Sequence, residues 1–356
     1  MTSNESTAHE LRITVKPSEL SFTAGLGETI LAAALRAGVL LPHGCQDGAC
    51  GSCKCKKLAG EVVQGAHQSK ALSGLEQDQG WVLTCCSVAG TDVVLESRQV
   101  TADAAIRVRK MPGRVRSMEK KSPDVILLGL QLPANDTFVY RAGQYVEVML
   151  GDGSQRSYSM ANAPGCGAST LEFHVRHRPG GKFTDALFGT MKEKDMLRIE
   201  GPYGSFYLRE DSDKPIIFLA SGTGLAPIKA IIEQMQSAGT ARTATLYWGG
   251  CRPRDLYLEP WIKQQLRAMP HLRYVPVVSD ALAEDGWQGR TGFVHQAVLE
   301  DFADLSRHQV YACGAPVVVD AARSAYLQAG LPADEFYADA FTTEADKALA
   351  SAAIGT

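Results

Sequence analysis

The chain has 356 residues, of which 45% are hydrophobic, and its 36 basic and 39 acidic side chains leave a net charge of −3. This composition excludes a disordered or fibrous protein, and the length predicts two or three domains with buried cores. The slightly acidic balance argues against nucleic acid or an anionic membrane as the main partner. No segment approaches the roughly 18 apolar residues of a membrane span, and the start, MTSNESTAHELR, lacks a secretory signal pattern. We therefore expect a soluble, cytoplasmic monomer whose nine cysteines are metal ligands or free thiols rather than disulfides.

Residues 1–100 predict a small mixed sheet with one helix. RITVKPSELSFTA indicates a strand hairpin, and ETILAAALRAG indicates a helix because its apolar residues recur at helical spacing. WVLTCCSV and DVVLES indicate later strands. The polar segment that follows, SRQVTADAAIRVRK, predicts a solvated linker whose core is residues 101–110.

Two further domains are predicted after the linker. In residues 111–210, short alternating runs such as VILLGLQL and LEFHVRHR, separated by Gly and Pro turns, predict an antiparallel β-barrel. In residues 211–342, strands such as IIFLASG and TLYWGG alternate with helices such as IKAIIEQMQSAG, which predicts a parallel sheet covered by helices. Residues 343–356 predict a loose tail.

Four cysteines carry the strongest chemical signal. Cys45, Cys50 and Cys53 lie in HGCQDGACGSCKCK, and Cys85 follows in WVLTCC. This is the C-x4-C-x2-C…C spacing of a plant-type 2Fe-2S cluster, which needs four thiolates for its two irons. The glycines of the loop allow the backbone to wrap a cluster and to direct amides at its sulfurs. We predict that these four cysteines bind the two irons of the cluster and that the cluster carries one electron at a time.

The fourth ligand requires a choice between Cys85 and Cys86. If WVLTCCSV is extended, neighbouring side chains point to opposite faces and only one of the two meets the cluster. We choose Cys85, because GWVLTC resembles the segment before the last ligand of plant-type ferredoxins, and we expect Cys86 to be a small buried residue. Cys55, on the strand that leaves the ligand loop, is expected to be a packed thiol.

A second set of motifs lies in the predicted barrel. Arg156-Ser157-Tyr158-Ser159 by itself would equally fit a strand with a surface arginine. Three more segments follow it at suitable intervals: His174-Val175-Arg176, Gly181-Lys182-Phe183-Thr184 and GPYGSF. Together, the four segments resemble the flavin domain of the ferredoxin-NADP reductase superfamily.

The resemblance implies that these residues bind FAD. A guanidinium such as Arg156 can pair with the pyrophosphate. Tyr158 can cover one face of the isoalloxazine, and the Ser159 hydroxyl can hydrogen-bond the flavin N5 that accepts hydride. The Gly-Gly turn allows backbone amides and Thr184 to reach phosphate oxygens.

The third set of motifs accompanies the predicted parallel sheet. Gly222-Thr223-Gly224 follows the strand IIFLA and opens a helix, a context in which free amides favour a pyrophosphate. Cys313-Gly314, after the strand QVYA, resembles the reductase motif that brings a cysteine beside the nicotinamide, although a plain strand-end turn is the alternative. Near the end, FYADAF resembles the segment whose aromatic ring lies over the flavin. Phe341 is the first candidate for that ring and Tyr337 the second, with core packing as the alternative.

The order of these segments implies a multidomain reductase: a β-grasp (α+β) ferredoxin domain, an antiparallel β-barrel FAD domain and an α/β parallel-sheet NAD domain. It resembles the reductases of bacterial oxygenases and of CDP-6-deoxyhexose dehydrase systems. The resemblance implies an oxidoreductase that passes electrons from NADH through FAD and the 2Fe-2S cluster to a partner oxygenase, with Ser159, Cys313 and Phe341 at the reacting centre. A dehydrase is the alternative partner. Two alternatives come from other functional classes: a stand-alone flavin or acceptor reductase, which needs no protein partner, and an iron-sulfur redox sensor.

The electron donor is predicted from the segment VPVVSDALAE. In NADP-using members of the superfamily, a basic residue tends to follow the serine that ends this strand, whereas Asp280 stands there in this chain. A carboxylate repels a 2′-phosphate and accepts hydrogen bonds from ribose hydroxyls, so we expect NADH rather than NADPH. Arg252, in WGGCRPRD, is the counter-evidence because it carries positive charge at the end of the neighbouring strand.

Overall fold

The computed structural model describes residues 10–135, 137–165 and 169–342. The chain forms two compact units, one that extends to Val108 and one from Arg109 to Phe341. The predicted tail, 343–356, lies outside the described residues. Among those that are described, no helix is both long enough and apolar enough to cross a membrane.

The first unit is built on a five-stranded mixed sheet. The strands of the whole unit, including those outside this sheet, are β1 (Leu11–Lys16), β2 (Leu20–Ala24), β3 (Val39–Leu40), β4 (Lys54–Ala59), β5 (Val62–Gln64), β6 (Trp81–Leu83), β7 (Ser87–Ala89), β8 (Val93–Glu96) and β9 (Thr101–Ala102). The sheet order is β2-β1-β8-β4-β6. The hairpin β1–β2 is antiparallel, as its short connection requires, whereas β1 and β8 are parallel.

Helix α1 (Ile30–Arg36) packs its apolar side against this sheet. It begins where the hydroxyl of Thr29 accepts a hydrogen bond from the amide of Ala32, at 3.2 Å. A second, shorter helix, α2 (Gly74–Asp78), begins with a capping box between Ser73 and Glu76. Helix α1 and strand β3 precede the loop with the first three cysteines, and helix α2 and strand β6 precede the turn that bears Cys85.

The segment predicted as a solvated linker belongs in part to the core of the first unit. Strand β9 pairs with β3, and the side chains of Val100 and Ile106 are buried. Because the segment is mostly polar, its sequence did not predict that these two apolar side chains would be buried. The compact unit therefore extends to Val108, beyond the predicted start of the linker.

The first part of the second unit is a six-stranded antiparallel sheet. Its strands are β10 (Arg109–Ser122), β11 (Val125–Gln131), β12 (Tyr145–Met149), β13 (Gln155–Ser159), β14 (Thr170–Arg176) and β15 (Met196–Tyr203). They lie in the order β13-β12-β15-β10-β11-β14, and helix α3 (Lys182–Gly189) follows β14. An isolated bridge joins Met160, just after β13, to Phe173 on β14. The alternating side chains fill a core that includes Leu130, Val146 and Phe173.

The second part of this unit is a six-stranded parallel sheet covered by helices. Its strands are β16 (Ile216–Ser221), β17 (Ala244–Gly250), β18 (Leu272–Val278), β19 (Arg290–Thr291), β20 (Gln309–Gly314) and β21 (Phe336–Ala340). Its helices are α4 (Leu225–Ser237), α5 (Glu259–Ala268), α6 (Val294–Asp301) and α7 (Pro316–Gln328). The strands lie in the order β19-β18-β17-β16-β20-β21. Because all neighbours are parallel, the carboxyl ends of the strands lie at one edge, where open α/β sheets bind ligands.

Candidate functional site

Three of the four predicted cluster ligands lie on the loop between β3 and β4. The amide of Cys45 donates to the sulfur of Cys50 at 3.4 Å, and the amide of Cys50 donates to the sulfur of Cys45 at 3.3 Å. The amide of Ser52 also donates to the sulfur of Cys50, at 3.4 Å. Amides directed at sulfur are the surroundings that stabilise metal-bound thiolates.

Glycines give this loop its close turns. Gly48 has a φ of +75°, and a Cβ on it would lie 2.8 Å from the carbonyl oxygen of Ala66. A Cβ on Gly44 would lie 3.2 Å from the sulfur of Cys50. The loop thus forms a cradle without side-chain bulk, and its residues fit a bound 2Fe-2S cluster.

The fourth predicted ligand, Cys85, is paired with Cys53. Their sulfurs are 3.2 Å apart and both side chains are buried. The predicted ligands therefore form two pairs, with Cys45 next to Cys50 and Cys53 next to Cys85. Cys55 is buried on β4, and burial raises the pKa of its thiol to about 12, which fits a packed thiol.

The expectation that Cys85 and Cys86 lie on an extended segment is wrong. Strand β6 ends at Leu83, and the chain then turns, with the amide of Cys86 donating to the carbonyl of Leu83 at 3.1 Å. Cys86 is half-buried, and its sulfur lies 3.8 Å from the sulfur of Cys85 and accepts a hydrogen bond from the side-chain Nε2 of Gln64 at 3.2 Å. Alternation along a strand thus cannot separate the two cysteines, whereas the short distance from Cys53 to Cys85 favours Cys85.

In the second unit, two predicted site residues from distant segments meet at one carboxylate. The hydroxyl of Ser159, at the end of β13, donates to Asp339 on β21 at 3.2 Å. The thiol of Cys313, at the end of β20, lies 3.9 Å from the same carboxylate oxygen. Burial, and then the negative charge of Asp339, raise the pKa of Cys313, so the group is a neutral thiol.

Sequence reasoning missed the importance of Asp339. The residue lies within the segment FYADAF, where the aromatic rings are the more conspicuous feature. A carboxylate on a buried, mostly apolar strand was the available signal, since such a group is rarely buried without a partner.

The two candidates for the ring over the flavin lie in different surroundings. Tyr337 is buried in the core, where its ring stacks on Tyr311 with a centroid distance of 4.8 Å. Core packing therefore accounts for Tyr337, which removes it as a candidate. Phe341 is only partly buried, and its amide donates to the carbonyl of Gly314 at 2.8 Å. Phe341 thus lies next to the turn that carries Cys313.

The motif on β13 presents its side chains in different directions. The ring of Tyr158 packs against Phe183, with a centroid distance of 5.1 Å. Arg156 donates to the carbonyl of Gln155 at 2.7 Å. The hydroxyl of Ser157 donates to Glu147 on β12 at 2.7 Å. Alternation along the strand places Ser157 on the same face as Ser159 and on the face opposite to Tyr158.

The turn before α3 is closed by its own side chains. The hydroxyl of Thr184 accepts from the amide of Arg178 at 3.2 Å and donates to the carbonyl of Arg178 at 2.9 Å. A Cβ on Gly181 would lie 2.6 Å from that hydroxyl, so the turn has room only for glycine. Lys182 pairs with the exposed Asp152. Since the side chains of Thr184 and Lys182 have partners within the protein, backbone amides are the remaining candidates for the predicted phosphate contacts in this turn.

On β14, the side chains of His174 and Val175, which were predicted to bind a cofactor, contact other groups of the protein instead. His174 is buried, with Nδ1 at 2.8 Å from the hydroxyl of Tyr257 and Nε2 at 3.0 Å from Glu172. Burial lowers the pKa of His174, so the neutral ring donates from Nε2 and accepts at Nδ1. The side chain of Val175 is fully buried. Sequence alone did not distinguish these packed side chains from cofactor ligands, so only their backbone groups remain as candidates.

Arg176 lies closer to the nucleotide turn than its place in the flavin motif predicts. A Cβ on Gly222 would lie 3.2 Å from its guanidinium, which also lies 3.2 Å from Asp124 and 3.8 Å from Asp255. The side chain therefore joins the flavin sheet to the turn after β16.

The turn Gly222-Thr223-Gly224 forms a cradle at the start of α4. Gly222 has a φ of +55°, and its carbonyl accepts from the indole of the buried Trp248 at 2.9 Å. A Cβ on Gly224 would lie 2.2 Å from the carbonyl oxygen of Cys313. The close approach of backbones and the position of this turn at the start of a 13-residue helix fit a bound pyrophosphate.

At the outer end of this edge lies Asp280, the predicted ribose ligand. It is exposed and accepts a hydrogen bond from the hydroxyl of Ser279 at 2.9 Å. The amide of Asp280 donates to the carbonyl of Cys251 at 2.9 Å, which holds its loop beside the one that carries Arg252.

A buried charge cluster joins the flavin and nucleotide parts of the second unit. Lys229 on α4 lies 3.1 Å from Glu172 on β14 and 2.6 Å from Glu233, and it donates to the carbonyl of Ala161 at 3.0 Å. Burial alone would raise the pKa of Glu172, but the hydrogen bond from His174 and the charge of Lys229 lower it to about 2.

We expect Lys229→Met to lower the free energy of unfolding by about 3 kcal/mol, because it leaves two carboxylates without their shared cation in a site where Lys229 is only 7% exposed. Lys182→Met is the control, since its pair with Asp152 is exposed and should contribute much less to stability. Urea unfolding followed by tryptophan fluorescence measures both variants. Equal effects would show that the cluster adds no more than a surface pair.

Three family models match the chain in the order expected. They describe a 2Fe-2S iron-sulfur cluster binding domain over residues 13–90, an oxidoreductase FAD-binding domain over 112–207 and an oxidoreductase NAD-binding domain over 218–324. The predicted cofactors, a 2Fe-2S cluster, FAD and a nicotinamide nucleotide, are therefore confirmed as classes.

Relatives match over nearly the full chain. The CDP-6-deoxy-L-threo-D-glycero-4-hexulose-3-dehydrase reductase of Yersinia pseudotuberculosis is 39% identical over 331 residues, 93% of this chain and 98% of the relative. Reductase component 2 of terephthalate 1,2-dioxygenase from Comamonas is 35% identical and covers 93% of this chain and 97% of its own.

Among solved structures, the Amycolatopsis cytochrome P450 reductase superposes with a TM-score of 0.77 at 30% identity, covering 94% of this chain and 99% of that one. Sequence and structure thus agree over all three matched regions. The chain belongs to the family of multidomain oxidoreductases of the ferredoxin-NADP reductase superfamily that combine 2Fe-2S, FAD and NAD-binding domains.

Proposed function

We propose that this protein is an NADH-dependent reductase that delivers electrons one at a time to a partner oxygenase. The observation that carries the proposal is the meeting of Ser159, Cys313 and Asp339 where the flavin sheet reaches the carboxyl edge of the nucleotide sheet. FAD, when bound, accepts a hydride as an electron pair, and a 2Fe-2S cluster carries single electrons. A chain with both sites converts a two-electron donor into a one-electron source.

The residues divide this task between the two units. In the first, Cys45, Cys50, Cys53 and Cys85 hold the cluster in the glycine cradle. In the second, Arg156 and the turn before α3 hold the FAD phosphates, Tyr158 supports the flavin ring, and the Gly222–Gly224 turn holds the pyrophosphate of the donor. Ser159 and Cys313 face the reacting centre, and Phe341 covers it until the nicotinamide enters. Since the transfer requires no side-chain acid or base, these residues bind and orient.

A dehydrase is a second candidate for the partner. The observation that favours it is the identity of 39% to a reductase named for a CDP-hexulose dehydrase, against 35% to a terephthalate dioxygenase reductase. Isolation of the protein that co-purifies with the chain, followed by an assay of NADH-driven turnover by that protein, separates an oxygenase from a dehydrase.

Several finer features belong to the same proposal. We propose a β-grasp fold for the first unit, and closure of the antiparallel strands into a barrel through the bridge from Met160 to Phe173. We propose the predicted divisions at 111–210, 211–342 and 343–356, whereas the first domain extends beyond residue 100 through most of the predicted linker at 101–110. We also propose a cytoplasmic monomer without nucleic-acid or membrane partners, and the free state of the cysteines that the structure describes fits a reducing compartment.

We expect NADH to reduce cytochrome c, a one-electron acceptor, with a higher kcat/KM than NADPH. The carboxylate of Asp280 repels a 2′-phosphate, and Asp280→Arg should move the ratio of the two kcat/KM values toward NADPH by about tenfold. Steady-state rates with both donors measure this. An NADPH preference in the unaltered protein, or an unchanged ratio in the variant, would place the ribose site elsewhere.

A further inference from the structure

Arg252 is the basic side chain beside the predicted ribose site. It follows β17, and its loop lies next to the loop after β18, since the amide of Ser279 donates to Gly250 at 3.0 Å and that of Asp280 to Cys251 at 2.9 Å. By position alone, Arg252 could receive a phosphate at this edge of the sheet. The position of Arg252 in the sequence therefore favours NADPH as the electron donor.

The guanidinium of Arg252 is engaged by a carboxylate from the next loop. Its Nε and one terminal nitrogen each lie 2.8 Å from an oxygen of Asp285, which makes the pair bidentate. Glu284 lies 3.6 Å away. The pair is partly exposed to water, with 23% of the Arg252 side chain and 18% of the Asp285 side chain exposed.

Asp285 is also held by a hydrogen bond from its own loop. The amide of Leu282 donates at 2.9 Å to Oδ2 of Asp285, the oxygen that contacts Nε of Arg252. The hydrogen bond from Arg252 lowers the pKa of Asp285, so the carboxylate is charged at neutral pH. A preorganised acceptor of this kind competes with any phosphate for the same guanidinium donors.

We propose that Asp285, supported by Glu284, is a donor-specificity residue that closes a latent 2′-phosphate site by holding Arg252 in a neutral pair. The proposal rests on the proposed function, because it assumes that the adenosine end of NADH lies beside Asp280. A 2′-phosphate that approached this edge would have to separate a bidentate pair while facing two carboxylates, so a nucleotide without that phosphate binds better.

The experiment measures binding directly by isothermal titration of the FAD-loaded protein. The probes are 5′-AMP and adenosine 2′,5′-bisphosphate, which differ only in the 2′-phosphate. We expect Asp285→Asn to shift the ratio of the two dissociation constants toward the bisphosphate by about tenfold, because it frees the guanidinium while an amide oxygen still accepts from Leu282. Arg252→Ala in the same background should return the ratio to its original value.

Two further variants make the experiment decisive. Glu284→Gln alters a side chain that is 78% exposed, so it folds, and it should shift the ratio in the same direction by about twofold. Glu28→Gln changes the net charge equally and breaks a matched pair, in which Arg36 contacts Glu28 at 3.0 and 2.8 Å. It lies in the first unit and should leave the ratio unchanged.

The outcomes separate the two proposals. If neither probe binds the unaltered protein, the nucleotide site assumed by the proposed function is wrong. If 5′-AMP binds but Asp285→Asn and Glu284→Gln leave the ratio unchanged, or Arg252→Ala does not reverse the shift, the role of Asp285 is wrong. If Glu28→Gln shifts the ratio equally, net charge rather than the pair is the cause.

Discussion

Cys85→Ser is expected to abolish the visible absorbance of the iron-sulfur cluster and NADH-driven reduction of cytochrome c, while NADH-driven reduction of ferricyanide persists. The cluster needs four thiolates, and Cys85 supplies the partner of Cys53 at a distance of 3.2 Å. The loss should stay local because the cysteines lie in the unit that ends at Val108, whereas the flavin and nucleotide residues lie in the unit from Arg109 to Phe341.

Cys86→Ser is the matched control for this experiment. The two cysteines share one turn and their sulfurs are 3.8 Å apart, so both substitutions disturb the same backbone. We expect the Cys86 variant to keep its absorbance and at least half of its cytochrome c activity, as an order-of-magnitude estimate for a half-buried thiol that is not a ligand. The reverse pattern, with the cluster lost only from the Cys86 variant, would overturn the ligand assignment.

Ser159→Ala is expected to slow the reduction of bound flavin by NADH about tenfold, the equivalent of one hydrogen bond, with little loss of FAD. The hydroxyl of Ser159 donates to Asp339, so its oxygen keeps lone pairs that can accept a hydrogen bond on the side of the flavin. Such a contact strengthens as the hydride arrives and therefore affects the rate more than cofactor retention.

Arg156→Ala should have the opposite effect. Removal of a charge-assisted phosphate contact releases FAD, while the flavin that remains bound is reduced at nearly the original rate. Stopped-flow reduction rates and the FAD content of the purified variants distinguish the two roles. Ser154→Ala, in the exposed hairpin turn before β13, is the control for a lost hydroxyl. Identical behaviour of the Ser159 and Arg156 variants would contradict the assignment.

Features that depend on neighbours in the chain could be predicted from the sequence. The spacing of Cys45, Cys50 and Cys53 predicts a ligand loop because close cysteines need only one turn to converge. Strand and helix alternation from Ile216 onward follows from local apolar periods, and the glycines at positions 222 and 224 mark a tight turn after a strand. Each of these signals is contained in a few consecutive residues, so no knowledge of the sheet order is needed.

The tertiary structure alone decided which distant side chains meet. Ser159 and Asp339 are 180 residues apart and come together only because β21 joins the edge of the parallel sheet and brings its carboxylate toward β13. The same holds for His174, whose ring nitrogen is hydrogen-bonded to the hydroxyl of Tyr257, and for Arg252, which forms an ion pair with Asp285. The role of a side chain depends on which group it contacts in the folded protein. That contact is set by the order of the strands and by which loops lie side by side, and local periodicity encodes neither.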